Sequence, residues 1–499
     1  MKNLPTRMLF LAWKISSSNL AVPLIARNKS HHRLLPGKFI SSLRIFSNLI
    51  GLIIESVKIN FYFSILFITI FSLVGCADDA AVNNNLAKIS QDNLIFVTDA
   101  SIKYKTTNKL IHNYLDRYFS PWQNPFIDFK PKEILSIEQQ QINNFSQNPG
   151  WGENEQSHDR IWILKIAQKM YLRNYPNLKM RAIVTRNTEL RVLPTQDPSF
   201  AAWNKPGKGY PFDNLQESVL NINTPIYVLH ESRNGEWALV ITPYKNFGWI
   251  KILDIAYMDN ATAKKWLPKN YVAATFDEEP IFDQQLRFYS ASRIGQLFPL
   301  HKTTTSYYQV IIPVRKENGY ATSKIVNIRK AKASLWPIPI SQKNIAKIAN
   351  NMLGQPYGWG EFNGYRDCSA TLEALFAPFA IWLPRNSGAQ TMLGKFIDLS
   401  AYNNQQKLDI ITDKGDPFLT LLWMPGHIML YVGTKDGRIY AFHNFWGLHT
   451  KEFWAKDSGR AVIGKSAITP LDFGVQYFNV DGNFLERVQG MTILNQTLL

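Results

Sequence analysis

One cysteine and two histidines in the last third of the 499-residue chain have the types and spacing to carry out acyl transfer. Cys368 stands in Arg366-Asp367-Cys368-Ser369-Ala370, directly before TLEALFAPF, an apolar run at helical spacing, so its thiol is expected at or near a helix N-terminus. There the unpaired backbone N–H groups and the positive dipole end favour the thiolate, the nucleophilic form. Alone, the cysteine also reads as a small buried hydrophobe. The histidines change that reading.

Gly426-His427-Ile428-Met429-Leu430-Tyr431-Val432-Gly433 reads as a strand, Asp436-Gly437 as a hairpin signal, and IYAFHN, with His443, as the return strand. A two-residue loop at 436–437 would place Leu430 opposite His443 and the histidines on opposite faces. A three-residue loop at 435–437, with Gly437 left-handed, places Thr434 opposite Arg438 and Met429 opposite His443. The two histidines then share a face as diagonal neighbours, roughly 7–8 Å apart at Cα, and this three-residue register is the expectation. In it His427 takes the thiol proton and later gives it to the leaving amine, while His443 holds the imidazole in the useful tautomer. His449 lies past Trp446-Gly447, where the strand should have ended, and is the poorer third member.

The elements that must position these residues follow from composition. With 45% hydrophobic and 19% charged residues, the chain has apolar material for two to four domains, which excludes wholesale disorder. Residues 86–180 are mostly helical in character, and Asp159 is placed to cap a helix over DRIWILKIAQKMYLR. Residues 181–340 carry short β-branched and aromatic runs, such as TPIYVLHES, WALVITP and YYQVIIPV, that suit small barrels or sandwiches. Asp213 and His230 in this stretch are open to a structural or a functional reading. From 341 onward helical text returns and gives way to strands.

The net charge of +17 includes nine basic residues and one acidic residue within 1–75, which leaves about +9 for the rest. That suits an anionic polymer or surface, but no Lys/Arg block typical of a nucleic-acid arm is present, so nucleic acid is not an expected partner. Two cysteines exclude a disulfide scaffold, a four-cysteine zinc site and a CxxC pair, and no HExxH occurs, so no metal or cofactor is expected. The other cysteine, Cys76, follows Lys58, the apolar run INFYFSILFITIFSLVG and Leu73-Val74-Gly75, an order that resembles a bacterial lipobox. Lipidation of Cys76 would anchor the chain to a membrane on its extracytoplasmic side, at the outer membrane of a Gram-negative cell because Ala77 and not Asp follows. An uncleaved membrane helix is the alternative, although the run is shorter than the ~20 residues a bilayer needs. The depth of this signal suggests a translation start near residue 57.

YGWG at 357–360, RDCSA, LPRNS with Gln390, GHIMLYVG and FHNFWG together resemble the NlpC/P60 family of cysteine peptidases over about 355–450, and the strand-rich block resembles bacterial SH3 (SH3b) domains. The resemblance implies an α+β architecture: a papain-like catalytic domain preceded by two small all-β SH3-like barrels and a mostly helical N-terminal domain. The expected divisions are a leader at 1–75, a stabilising domain at 84–180, SH3b domains at 181–260 and 265–340, and a peptidase at 341–495. It implies a Cys368-His427-His443 triad that cuts peptidoglycan stem peptides, typically between γ-D-glutamate and a diamino acid, with Tyr357 helping to hold the oxyanion. Asp367 and Ser369 match residues that bind the free amine of a terminal L-alanine; Asp367 is equally suited to capping the nucleophile helix. Arg385-Asn386-Ser387 begins a helix and is read as structural. Relatives often read YGWGG, and Glu361 in place of the second glycine puts the shape of that loop in question. Two other readings stand beside this one: an amidase or acyltransferase with the same triad, and a non-catalytic wall-binding lipoprotein. A monomer is assumed.

Overall fold

The structure is a computed structural model that describes residues 77–98, 106–267, 270–451 and 458–494. The expected anchor at Cys76, the apolar run before it and the suggested start near residue 57 lie outside the described residues. Among the described residues no helix is long and apolar enough to cross a membrane.

The N-terminal part is helical, with helices Asn108–Tyr118, Pro131–Gln147 and Arg160–Met170. Asp159 caps the last of these, accepting from Trp162 N at 2.8 Å. Two seven-stranded antiparallel sheets follow, one from strands between Met180 and Tyr257, the other from strands between Tyr271 and Trp336. Trp249, fully buried in the first sheet, donates its indole N–H to Glu138 of Pro131–Gln147 at 2.8 Å. Burial pushes the Glu138 carboxyl up to about 8, so it sits in the core largely neutral at pH 7. Asp213 is wholly buried in an ion pair with Arg191 at 2.7 Å, and His230 is held by Met170 O at 2.8 Å; both are structural.

The last third is α+β. Six antiparallel strands lie in the order Lys395–Asp398, Gly490–Ile493, Thr420–Met424, His427–Lys435, Arg438–Lys451, Ser458–Pro470. Helix Cys368–Phe376 packs its Leu372, Leu375 and Phe376 against Ile428, Leu430 and Phe442 of the sheet. The same apolar cluster takes in Tyr114, Trp122 and Trp336, so the helical region and the second β-sheet share a core with the catalytic part.

The hairpin that carries the histidines corrects the expected loop. Lys435 pairs with Arg438, so the loop is the two-residue Asp436-Gly437, with φ of 52° and 70° as a type I′ turn requires. A bulge at Val432 then shifts the register by one, so that Tyr431 pairs with Ala441 and Leu430 with Phe442. The turn alone would have put the histidines on opposite faces. The bulge returns them to one face, the arrangement expected from the longer loop.

Glu361 explains how the loop after YGWG tolerates a side chain where relatives have glycine. Its φ is 64°, a left-handed conformation that costs a non-glycine residue about 1–2 kcal/mol. In return its buried carboxylate accepts from Ser218 Oγ at 2.9 Å, Val219 N at 3.1 Å and Arg293 Nη2 at 2.9 Å, which ties the catalytic part to both β-sheets. Glu361→Ala keeps the strain and strands Arg293. Removing one partner of a buried pair costs roughly 3–5 kcal/mol, so the variant should melt several degrees below wild type in thermal unfolding; an unchanged Tm would contradict this account.

Candidate active site

Cys368 is the first residue of helix Cys368–Phe376, and Asp367 is its N-cap, accepting from Ala370 N at 3.0 Å. The backbone N–H groups of Ser369 and of Ile428, the residue after His427, point at the thiol sulfur. His427 Nε2 lies 2.8 Å from His443 Nδ1, and His443 Nε2 lies 2.9 Å from Thr469 Oγ1. His443 is fully buried and stacks on Phe445 with ring centroids 4.2 Å apart, so its plane is fixed. With Nε2 of His427 taken, Nδ1 is the ring nitrogen left to act as a base.

This chain of contacts has one productive proton arrangement. For His427 Nδ1 to be a base, Nε2 must carry the proton and donate to His443 Nδ1. His443 must then carry its proton on Nε2 and donate to Thr469. Thr469, whose hydroxyl can accept that proton, thereby supports the productive tautomer of both imidazoles. It was missed in the sequence because it sits on the next strand: Ala467 pairs with His443, and Thr469 follows two residues on, on the same face.

Burial works against the expected thiolate. Burial, and next the adjacent Asp367 charge, push the Cys368 thiol up to about 12, outweighing the N–H groups that favour the anion. Burial, and then Arg487, push His427 down to about 3. The resting pair is thus a neutral thiol beside a neutral imidazole. Burial, followed by the nearby Cys368 and Asp367, also raises the phenol of Tyr357, which keeps it a hydrogen-bond donor; its ring is wedged between Phe212 and Trp446 at the cleft wall.

Asp367 does not offer itself to an amine. Arg385 grips both its oxygens, at 3.1 and 2.7 Å, and Gly360 N, Ala370 N and Ser369 Oγ supply three more donors. Burial opposes ionisation of Asp367, but Arg385 wins and holds its carboxyl below the usual range. Ser369 Oγ is likewise bonded to Asp367 and to Arg385, at 2.9 Å from the latter. The carboxylate that faces open space is Glu217, from the first β-sheet. It lines a cavity of about 620 Å³ with Cys368, Asp367 and Ser369, and burial raises its pKa. A second cavity, of about 650 Å³, adjoins the first at Asn214, Trp359 and Gly426 and is lined by His427 and Tyr357. His449 lines this second cavity and makes no contact with His443 in the hydrogen-bonded chain. Among the described residues no group of side chains could hold a metal ion.

Two outcomes follow from this geometry. A base depressed below 6.5 is competent above its pKa and lost only as pH falls through it, so kcat/KM should stay level through pH 6.5 and decline nearer 3. An acid limb near 6.5 would contradict the neutral pair. Thr469→Val should lower kcat about tenfold or more with little change in KM, and Thr469→Ser should restore it; equal loss in both variants would reduce Thr469 to packing.

Comparison with known proteins gives the same order of parts. Residues 354–443 match the NlpC/P60 family, 64–175 the N-terminal NLPC_P60 stabilising domain, 198–251 an SH3 domain of SH3b1 type and 259–305 one of SH3b2 type. A curated relative, the gamma-D-glutamyl-L-lysine dipeptidyl-peptidase of Bacillus subtilis (strain 168), is 25% identical over 214 residues. That match covers 41% of this chain and 66% of the relative, just under two thirds of its length. A solved structure, described as a novel NlpC/P60 endopeptidase from Photobacterium damselae subsp. piscicida, superposes with a TM-score of 0.73 at 27% identity, over 81% of this chain and 97% of the other.

Proposed function

The chain carries an NlpC/P60 cysteine-peptidase domain behind a stabilising domain and two SH3b domains, and on that premise we propose that it is a peptidoglycan endopeptidase that cuts between γ-D-glutamate and a diamino acid. The observation that carries the reading is the bonded series Thr469, His443, His427, whose neighbour Ile428 donates its N–H to the Cys368 sulfur, an arrangement that suits a thiol for acyl transfer. The name of the Bacillus subtilis relative supports the choice of bond.

In the proposed reaction His427 Nδ1 takes the proton from Cys368 as the sulfur attacks the γ-carbonyl carbon. The negative oxygen is received by the Cys368 backbone N–H and the Tyr357 hydroxyl. As the C–N bond breaks, His427 gives its proton to the departing amine and the acyl group remains as a thioester. Water, deprotonated by His427, then releases the carboxylate and restores the thiol. The neutral resting pair makes the first proton move together with attack, since a separated ion pair is costly in so buried a site.

Glu217 supports a preference for fragments whose L-alanine amine is free. It is a carboxylate with Asn246 Nδ2 at 3.3 Å, placed on the cysteine side of the cleft, and an ammonium beside it would hold it ionised against its burial. Asp367 and Ser369 then act by positioning Cys368. The wall substrate implies a site outside the cytoplasm, and the lipobox-like Leu73 to Cys76 supports an anchor at the membrane there.

The test is incubation of wild type and Cys368→Ala with free L-Ala-γ-D-Glu-diaminopimelate and with the same peptide joined to muramic acid, products being identified by mass. Cleavage of the free peptide, lost in the variant, is expected, and Glu217→Gln should raise KM for it about tenfold. Cleavage of both peptides at equal rates would remove the amine preference. Release of an intact stem peptide from muramic acid would instead make the enzyme an amidase.

A further inference from the structure

The cleft is polarised by charge, and its basic end lacks a partner. On the cysteine side stands Glu217; on the histidine side Arg460 and Arg487 line the cavity, with Lys208 on the facing loop. Among the described residues neither arginine forms an ion pair, and Arg460 Nη1 is buried with no hydrogen-bond partner. Its guanidinium is pressed against the loop from the first β-sheet, so that a Cβ on Gly207 would lie 3.2 Å from Nε. The carboxylate that bears on Arg487 is Asp481, which is itself paired with Lys451 at 2.8 Å. Burial, followed by Arg460 and Arg487, drives His449 down to about 4, so it stays neutral and adds no third positive charge. Two guanidinium groups in a part-buried wall, neither in an ion pair and one with a buried unbonded N–H, are costly to keep unless an anion completes them.

The direction of the chemistry identifies which part of the substrate meets them. His427 protonates the leaving amine, and His427 lies in the cavity with the arginines; the residue that departs is therefore the one on the basic side. We propose that Arg460 and Arg487 form a carboxylate subsite for the leaving residue, which selects a diamino acid whose second carboxylate is free over one in which it is amidated or absent. The inference rests on the bond assigned above. A guanidinium suits the role because it binds a carboxylate through two parallel N–H donors, which an amide cannot match and the side chain of lysine lacks altogether.

The experiment compares three tripeptides on the full wild-type chain: L-Ala-γ-D-Glu followed by diaminopimelate, by diaminopimelate amidated on its side-chain carboxyl, or by lysine. The first should be cleaved with kcat/KM about tenfold or more above the other two, mainly through KM. In Arg460→Gln/Arg487→Gln the ratio should shrink toward one. Equal cleavage of the three by wild type overturns the subsite while leaving the endopeptidase reading standing; an undiminished ratio in a folded double variant also overturns it. Cleavage of none by wild type overturns both. The wild-type comparison needs no substitution, so a variant that misfolds does not shelter the proposal.

Discussion

The buried guanidinium of Arg385 is the interaction on which the catalytic geometry depends. It holds both oxygens of Asp367, which caps the nucleophile helix, donates to Ser218 of the first SH3b domain at 2.9 Å, and lies 3.7 Å from Glu361. Burial works against the Arg385 charge, but Asp367 and Glu361 together raise its pKa, so it is fixed as a cation. Buried ion pairs of this kind contribute little net stability over apolar packing, yet each partner is severe to remove. Their effect here is orientation: the start of the nucleophile helix, the loop after YGWG and the edge of the SH3b domain are located by one another. The SH3b domains thus belong to the construction of the cleft, whatever else they bind.

The same burial sets the resting protonation. A helix N-terminus would lower a thiol pKa if it were exposed, but here the capping carboxylate of Asp367 faces the same dipole and the sulfur is out of water. The thiol is kept in reserve as a neutral group, and the histidine that must deprotonate it is kept neutral by the same exclusion of solvent. In the proposed mechanism orientation then matters more than bulk acidity, and the stacked and doubly bonded His443, with its Thr469 partner, would supply it.

Much of this was legible in the sequence, because motifs and alternation are local. The helix that begins at Cys368 and the shared face of the two histidines follow from residue patterning, and the α+β class from the family resemblance that the motifs carry. The hairpin shows how the right face came from the wrong loop: Asp436-Gly437 made the two-residue turn that such a dipeptide favours, and the compensating bulge at Val432 has no signature in the sequence. What could not be read is whatever depends on contacts between distant segments. Thr469 required the register of a third strand, Glu217 required the docking of the first SH3b domain onto the cleft, and the full coordination of Asp367 required Arg385, 18 residues away. Composition and spacing carry no term for such meetings.

The central claim is that Cys368 forms a thioester with the acyl half of the stem peptide. Rapid quenching of the full chain during turnover of L-Ala-γ-D-Glu-diaminopimelate, followed by intact-mass measurement and peptide mapping, tests it most directly. The account predicts a transient adduct of L-Ala-D-Glu less water, located on the peptide that contains Cys368 and free of the diamino acid. Steady product release with no adduct at any quench time, or an adduct that retains the diamino acid, would contradict it.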